Sequence, residues 1–400
     1  MKRSSPKVRY GIIADDLTGA TDTATAFAQC GFTVAVALEP RCLTSLRVRV
    51  IALSTDSRHD LPAAARRKVR HAFSQLGAAG LSLFYKKMDS TVQGNIVAEV
   101  EALRDAGGFA TALVCPANPA QGRTVRGGVL RVRGSGSVNL REHFRAQGLA
   151  ESGSVESPVT AAKVRRVIGQ GSRFIIADAT SRGDLACLAR AALQSKHRVL
   201  FAGSAGLAAG LASILAPPKR RGVMSSSRVL PTALRPGADD SRHNTLVMAG
   251  SKNPVTERQL KNLSKGAYAG PFGLNRNTGK DVTRSLACQR HAVIRVPVHR
   301  QPDSVILRHL RALAHLFRER RVGSLVLTGG DTALLICRWL QPRAIAIGGE
   351  IVPGLAWGRF IGGLADGLTV CTKPGGFGNG QSLVRAVEFL VTQSKSQRAS

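Results

Sequence analysis

The sequence predicts two α/β domains with mostly parallel sheets, and three observations carry that expectation. Short apolar runs of strand length alternate with helix-length segments along most of the chain, the pattern of β–α–β units. Many of these runs stop abruptly at Asp, Ser, Thr or Gly just before a helical segment, as strands do at the carboxyl edge of an open sheet. One stretch in the middle, APPKRRGVMSSSRVLPTALRPGADDSRHN from Ala216 to Asn244, replaces the alternation with Pro, Ser, Gly and charge, the composition of a linker. The boundaries that follow are a first domain over 1–217, a linker over 218–243, a second domain over 244–392 and a flexible polar tail over 393–400. A chain of 400 residues that is 44% hydrophobic holds core enough for two or three domains.

Before the linker, strands are expected near Tyr10–Ala14, Val34–Ala37, Val48–Ser54, Ser82–Lys86, Thr111–Cys115, Phe174–Asp178 and Val199–Gly203. After it they are expected near Thr245–Ala249, Ala292–Val296, Ser324–Thr328, Ala344–Gly348 and Leu368–Cys371. The uncharged run from Val199 to Pro218 contains Gly206-x-x-x-Gly210, a spacing common in membrane helices. Gly203, Ser204 and Gly206 interrupt it, so it divides into a strand, a Gly-Ser turn and a buried helix, and no membrane span is expected. A helix over Val305–Arg320 sets Ile306, Leu310, Leu313 and Phe317 on one stripe and Arg308, Arg311 and Arg318 off it. That is an amphipathic helix with a solvated basic face.

The net charge of +32 attracts anions. However, Arg far outnumbers Lys, the basic residues are scattered, and no aromatics interleave them as single-strand binding requires. A small anionic substrate is therefore the expected partner, with neither nucleic acid nor membrane, and a homodimer is left open. The seven cysteines are widely spaced, odd in number and without CxxC, as befits reduced, buried thiols in a cytoplasmic protein. The nine histidines show no HxxxH or HxH spacing, so no protein-built metal cage is expected; His59 stands out only for lying beside Arg58. Asp15 and Asp16 break the apolar run behind Lys2, Arg3 and Lys7, so no export signal is expected.

The chemistry gathers at strand ends. Gly11-Ile12-Ile13-Ala14-Asp15-Asp16-Leu17-Thr18-Gly19 reads as strand, turn and helix start, with two carboxylates at the strand's carboxyl end. Helix capping explains one acid; the second is free to bind a polyol or a metal, or to accept a hydroxyl proton. Tyr85-Lys86-Lys87-Met88-Asp89-Ser90-Thr91 ends a strand in two ammonium groups, a carboxylate and two hydroxyls, suited to an anionic, hydroxylated molecule. Cys115 to Thr124 brings Arg123, a candidate carboxylate fork, and Ser54-Thr55-Asp56-Ser57-Arg58 supplies a fourth loop. In the second domain, Ala249-Gly250-Ser251, Thr328-Gly329-Gly330-Asp331-Thr332 and Lys373-Pro374-Gly375-Gly376-Phe377-Gly378 are three Gly-rich strand-to-helix turns. Such turns present backbone N–H groups to phosphates. The Walker pattern GxxxxGK[ST] is absent.

Together these segments resemble the four-carbon acid sugar kinases. The resemblance rests on ADDLTGATDTA (14–24), KKMDST (86–91), PANPAQGRT (116–124), GSAGLA (203–208), AGSKNPVT (249–256), TGGDT (328–332), GEIVPG (349–354) and KPGGFG (373–378), in the family's order and across nearly the whole chain. It implies a sugar-acid-binding first domain, a nucleotide-binding second domain and an active site in the cleft between them. It implies ATP-dependent phosphorylation, with Mg²⁺, of the terminal hydroxyl of threonate, erythronate or a 3-oxo-tetronate. The substrate contacts would come from Asp15, Asp16, Arg58, Lys86, Lys87, Met88, Asp89, Ser90 and Arg123. Nucleotide contacts would come from Ser251, Gly329, Gly330, Asp331, Thr332, Glu350, Lys373, Gly375, Gly376, Phe377 and Gly378. Asp331 or Asp15 would be the catalytic base, and Glu350 would act through Mg²⁺ or cap a turn.

Three places depart from the family pattern, one of them the divergent segment Arg131–Ser154. Gln93 stands where members carry Arg, and Asn379-Gly380-Gln381-Ser382 lacks an acid common after KPGGFG. A non-catalytic ligand sensor, or a basic nucleic-acid-binding protein with a vestigial kinase site, is the alternative; the intact Asp15, Lys87, Asp89 and Asp331 argue against it.

Overall fold

The computed structural model describes residues 9–216 and 244–396, apart from 135, 267, 289, 290 and 299. The expected linker over 218–243 and the end of the expected tail lie outside the described residues. The chain divides into two compact units, Met1–Ser225 and Ser226–Ser400.

In the first unit the order is β1 (Tyr10–Ala14), α1 (Leu17–Gln29), β2 (Val34–Ala37), β3 (Val50–Ser54), α2 (Pro62–Ala78), β4 (Leu83–Lys87), α3 (Ile96–Ala106) and β5 (Thr111–Cys115). There follow β6 (Arg123–Arg126), β7 (Val129–Val132), β8 (Gly136–Asn139), α4 (Leu140–Ala146), β9 (Gly153–Val155), α5 (Ala161–Gly169), β10 (Phe174–Ala177), α6 (Arg182–Leu193), β11 (Val199–Gly203) and α7 (Ala205–Leu215). The main sheet runs β2-β3-β1-β4-β11-β5-β10-β9, and every pairing in it is parallel. Parallel strands are covered on both faces and read as continuous apolar runs; β1, β2 and β5 are buried at every position.

Register places the expected loops on one edge. Ala14 lies opposite Ser54 on one side and Lys87 on the other, and Gly203 lies opposite both Lys87 and Cys115. The residues that follow these five positions therefore emerge side by side. β1 is also where the strand order reverses, so a crevice opens beyond its carboxyl end.

In the second unit the order is β12 (Thr245–Ala249), α8 (Pro254–Leu263), β13 (Tyr268–Gly273), α9 (Thr278–Ala287), β14 (His291–Arg295), α10 (Asp303–Arg311) and α11 (Ala314–Arg318). It continues with β15 (Ser324–Thr328), α12 (Gly330–Leu340), β16 (Ala344–Val352), β17 (Leu355–Ile361), β18 (Thr369–Lys373) and α13 (Ser382–Ser396). The sheet runs β13-β14-β12-β15-β18-β17-β16, parallel from β13 to β18 and antiparallel at β17. Ala249, Thr328 and Lys373 are in register with one another, so the three Gly-rich turns also leave from one edge. Leu260 and Leu263 of α8 and Leu383, Ala386, Val387 and Leu390 of α13 pack on Val247, Val293, Val326 and Cys371 of the sheet.

Most expected strands appear within two residues of their places, but six others were not read. β6, β7 and β8 form a separate antiparallel sheet whose Arg- and Gly-rich sequence masks the alternation. β9 is three residues long. β13 contains Gly270-Pro271, which fits an edge strand that leaves one side unpaired. β17 is the hairpin partner of a β16 that runs on to Val352, past the expected end at Gly348. The basic helix expected over Val305–Arg320 is two helices, α10 and α11, interrupted at Ala312 and Leu313. Its stripe is as expected: Ile306, Leu310, Leu313 and Phe317 are buried, and Arg308, Arg311 and Arg318 are exposed. α13 continues through Ser396, four residues into the segment read as tail. Among the described residues no helix is long and apolar enough to cross a membrane.

Candidate active site

At the edge of the first unit, the two adjacent acids have separate tasks. Asp16 is the N-cap of α1: its Oδ1 accepts from the Gly19 amide at 2.8 Å and its Oδ2 from the Thr18 hydroxyl at 2.7 Å. Asp15 is buried and takes no part in the cap. Its Oδ2 accepts from Arg58 Nε at 2.6 Å, and its Oδ1 is buried with no protein hydrogen-bond partner. Burial alone would push the Asp15 carboxyl up, but Arg58, Lys86 and Lys87 outweigh it and hold the group below the usual carboxylate range. Asp15 is thus an anion with one acceptor oxygen uncommitted.

Arg58, expected to grip a substrate carboxylate, is already paired. Its guanidinium lies 2.6 Å from Asp15, 2.9 Å from Asp16 and 3.9 Å from Asp89. Burial disfavours its charge, but these carboxylates raise its pKa above the ordinary arginine value. Gly94 lets this loop close: it sits at φ +89°, and a Cβ there would stand 3.2 Å from Arg58 Cγ. Asp56 and Val92, both non-glycine, also hold positive φ, 48° and 61°. For a β-branched residue such as Val92 that is a strained conformation. Asp89 shapes the turn that imposes it, accepting from the Thr91 amide and hydroxyl and from the Gln93 amide. His143 Nε2 lies 2.8 Å from the Val92 carbonyl.

The two adjacent lysines point opposite ways, as successive strand residues must. Lys86 is fully buried; its ammonium pairs with Glu99 at 2.8 Å and donates to the Lys87 carbonyl at 2.7 Å. Lys86, expected among the substrate contacts, is thus committed to Glu99 and the backbone in this structure. Glu99 also accepts from Ser57, and Thr55, whose hydroxyl oxygen lies 2.6 Å from that of Ser57, donates to the Ala14 carbonyl. This buried network underlies the Asp15 and Arg58 loops. Lys87 faces α1: its Nζ donates to the Met88 carbonyl at 2.8 Å and would be 3.1 Å from a Cβ on Gly19. Met88 is buried and anchors its loop by donating its amide to the Gly203 carbonyl. Arg123, whose Nη1 donates to Gln121, is largely buried; burial lowers its pKa, and Asp89 and Asp22 pull the other way. Ser90 is buried nearby. His59 is exposed in its turn.

In the second unit, three glycine turns crowd together. A Cβ on Gly375 would stand 2.3 Å from Ser251 Oγ, one on Gly329 3.3 Å from Ser251 Cβ, and one on Gly250 2.2 Å from Thr332 Oγ1. A side chain at Gly375 or Gly250 would collide with the neighbouring turn, and one at Gly329 would be tightly packed and strained at its positive φ. Gly329 precedes α12 at φ +101°, and Asp331 stands exposed in the first turn of that helix. Glu350 closes the β16–β17 hairpin, its Oε1 accepting from the Gly354 amide at 2.6 Å.

Lys373, expected among the nucleotide contacts, is occupied by its own loop. Its ammonium is enclosed and donates to the Pro374 and Gly375 carbonyls, both at 2.9 Å, and to Thr256 Oγ1 at 3.2 Å. Burial pushes it down to about 7. It is directed at its own loop, not outward. Thr256 and Gln259 of α8, both fully buried, also serve this loop and were not among the expected site residues. Beside the Ser251 turn lies a cleft of about 600 Å³ lined by Gly250, Lys252, Glu257, Leu274, Arg295 and Val298 among others. The Glu257–Arg295 ion pair in its wall is bidentate, and neither residue carried a signal in the sequence.

Comparison with known proteins gives this geometry a family. The model of a sugar-binding N-terminal domain matches residues 10–211, and that of a nucleotide-binding C-terminal domain matches 277–383. The D-threonate kinase of Bordetella bronchiseptica is 32% identical, over 95% of this chain and 97% of its own. The 3-oxo-tetronate kinase of Burkholderia multivorans is 29% identical over 94% and 96%, and the D-erythronate kinase of Heliobacterium modesticaldum 25% over 96% and 98%. A crystal structure from Haemophilus influenzae superposes with a TM-score of 0.70 at 24% identity, covering 95% of this chain and all of its own, which supports the fold. With one family model spanning half of its residues and a 32% identical relative matched nearly end to end, the chain belongs to the four-carbon acid sugar kinases.

Proposed function

We propose that this kinase transfers the γ-phosphoryl group of ATP to the terminal hydroxyl of a four-carbon sugar acid, bound by the domain over 1–217, with ATP bound by the domain over 244–392. The observation that carries this reading is Asp15: a buried carboxylate at a strand end, with one oxygen unpartnered, in the field of Lys87. That oxygen accepts the hydrogen bond of the reacting hydroxyl. The substrate carboxylate goes to Lys87 and Arg123, because the charge of Arg58 is already matched by three carboxylates. Phosphoryl transfer through a loose transition state asks for alignment and charge neutralisation more than for a strong base. A carboxylate below the usual range fits that demand: it orients the hydroxyl and accepts its proton as the new bond forms.

On the nucleotide side, the cleft beside Ser251 is of a size for a nucleoside, and the crowded glycine turns suit phosphates. Among the described residues no group of three or more His, Cys, Asp or Glu side chains is placed to hold a metal. Mg²⁺ commonly uses one or two carboxylates plus phosphate oxygens and water, so Asp331 is the residue that would hold it, and the ion would neutralise phosphate charge.

The relatives act on three different acids at similar identity, so substrate is decided by assay. The full chain is screened for ADP release with D-threonate, D-erythronate and 3-oxo-tetronate, and with a five-carbon aldonate as control. At least one four-carbon acid should exceed the control in kcat/KM by about 10-fold or more, the usual weight of one extra carbon in a fitted pocket. No ADP release above background, or equal turnover of the five-carbon acid, would refute the assignment.

A further inference from the structure

The loop after β18 has an unusual polarity. Its carbonyls are drawn inward: Lys373 Nζ holds those of Pro374 and Gly375, Thr256 also donates to Gly375, Gln259 Nε2 donates to Phe377 at 3.1 Å and Asn379 at 2.8 Å, and Asn262 donates to Gly380 at 2.9 Å. These peptides are trans, and in a trans peptide the C=O and the following N–H point in opposite directions. The amides of Gly375, Gly376, Gly378 and Gly380 must therefore face away from α8. None of the four has a hydrogen-bond partner among the described residues, whereas Phe377, Asn379 and Gln381 donate theirs within the loop. Four glycines at these positions leave nothing to cover those amides.

We propose that Lys373, Thr256, Gln259 and Asn262 are positioning residues that hold this loop with its carbonyls in and its amides out, making it a backbone cradle for the terminal phosphates of the nucleotide. The inference rests on the nucleotide reading above and adds how the phosphates are held. No side-chain cation on the loop reaches them; the row of amides does. Thr256 and Gln259 are three residues apart on α8, and Asn262 is three further, so one face of one helix supplies the scaffold.

The test uses the full chain with Gln259→Met and Thr256→Val, which keep volume but lose the donor, and Thr256→Ser, which keeps it. ADP and AMP binding are measured by calorimetry with Mg²⁺, alongside the KM values of both substrates. Losing donors that orient amides toward a charged phosphate should weaken ADP binding about 10- to 100-fold. AMP, which lacks the terminal phosphates, should change less than threefold, the KM for ATP should rise while that for the sugar acid holds, and Thr256→Ser should stay close to wild type. Equal loss of ADP and AMP affinity, or unchanged ADP affinity in both donorless variants, overturns the cradle. A wild-type protein that binds neither nucleotide brings down the nucleotide reading itself, and the cradle with it.

Discussion

Asp15→Asn probes the unpartnered carboxylate oxygen at the carboxyl end of β1. The amide keeps the shape of the side chain and removes its charge. Breaking a buried ion pair usually costs about 3–5 kcal/mol, because the surviving charge is stranded. Here Arg58 keeps Asp16 at 2.9 Å and Asp89 at 3.9 Å, so the loss of stability should be nearer about 1–2 kcal/mol. The chemical step should suffer more. Positioned acid–base groups contribute about 10²- to 10⁴-fold, and a loose phosphoryl transition state draws on the lower part of that range. A fall of about 100-fold in kcat is expected, about 2.7 kcal/mol of barrier. The KM for the sugar acid should move little, since Lys87 and Arg123 remain. Single-turnover transfer at saturating substrates, with urea unfolding in parallel, separates the two effects. Asp331→Asn is the control: its defect should take the form of a raised Mg²⁺ requirement that saturating Mg²⁺ largely restores. A single-turnover rate for Asp15→Asn within threefold of wild type would refute the role given to Asp15.

Two predictions concern buried charges. Glu99→Leu strands the Lys86 ammonium, which lies 2.8 Å from Glu99 with side chains only 1% and 2% exposed. It should destabilise the first unit by about 3–5 kcal/mol in urea unfolding, and Lys86→Met in the same chain should recover most of that loss; a single variant as stable as wild type would show the pair to be dispensable. Lys373 titrates near 7 when folded and near 10.5 when unfolded, so between those values the folded state binds fewer protons. Stability of the second unit should therefore rise with pH across that window, by up to about 1.4 kcal/mol per unit, and Lys373→Met should flatten the slope; equal slopes in the two proteins would show that the three oxygen acceptors keep the lysine charged throughout.

The strand ends were legible because an apolar run that stops at a polar turn is a local signal. Asp15, Ser57, Lys87 and Ser251 fell where that signal put them. Their tasks were not local. Asp15 and Asp16 look alike in sequence, and only the partner 42 or 43 residues away separates an acid that answers Arg58 from one that also caps a helix. The two lysines differ in kind: period-two alternation sends Lys86 and Lys87 to opposite faces of a sheet covered on both, so both are buried, and Lys86 meets an interior anion. That anion, Glu99, was visible as an acid on an otherwise apolar face of α3, among Ile96, Val100 and Leu103.

The loop after β18 was legible in the same way. In the run Pro374 to Gly380 the one polar side chain, Asn379, accepts from the Gln381 amide, so the run's carbonyls need donors from whatever it packs against. α8 carries Thr256, Gln259 and Asn262 at helical spacing next to the core residues Leu260 and Leu263. Polar residues on the inner face of a helix would be a liability without such a loop above them. Those side chains could donate or accept, and here each donates, so the loop's carbonyls point toward the helix. The orientation we propose for the cradle thus leaves a trace in the sequence, as three donor-bearing side chains on one face of α8.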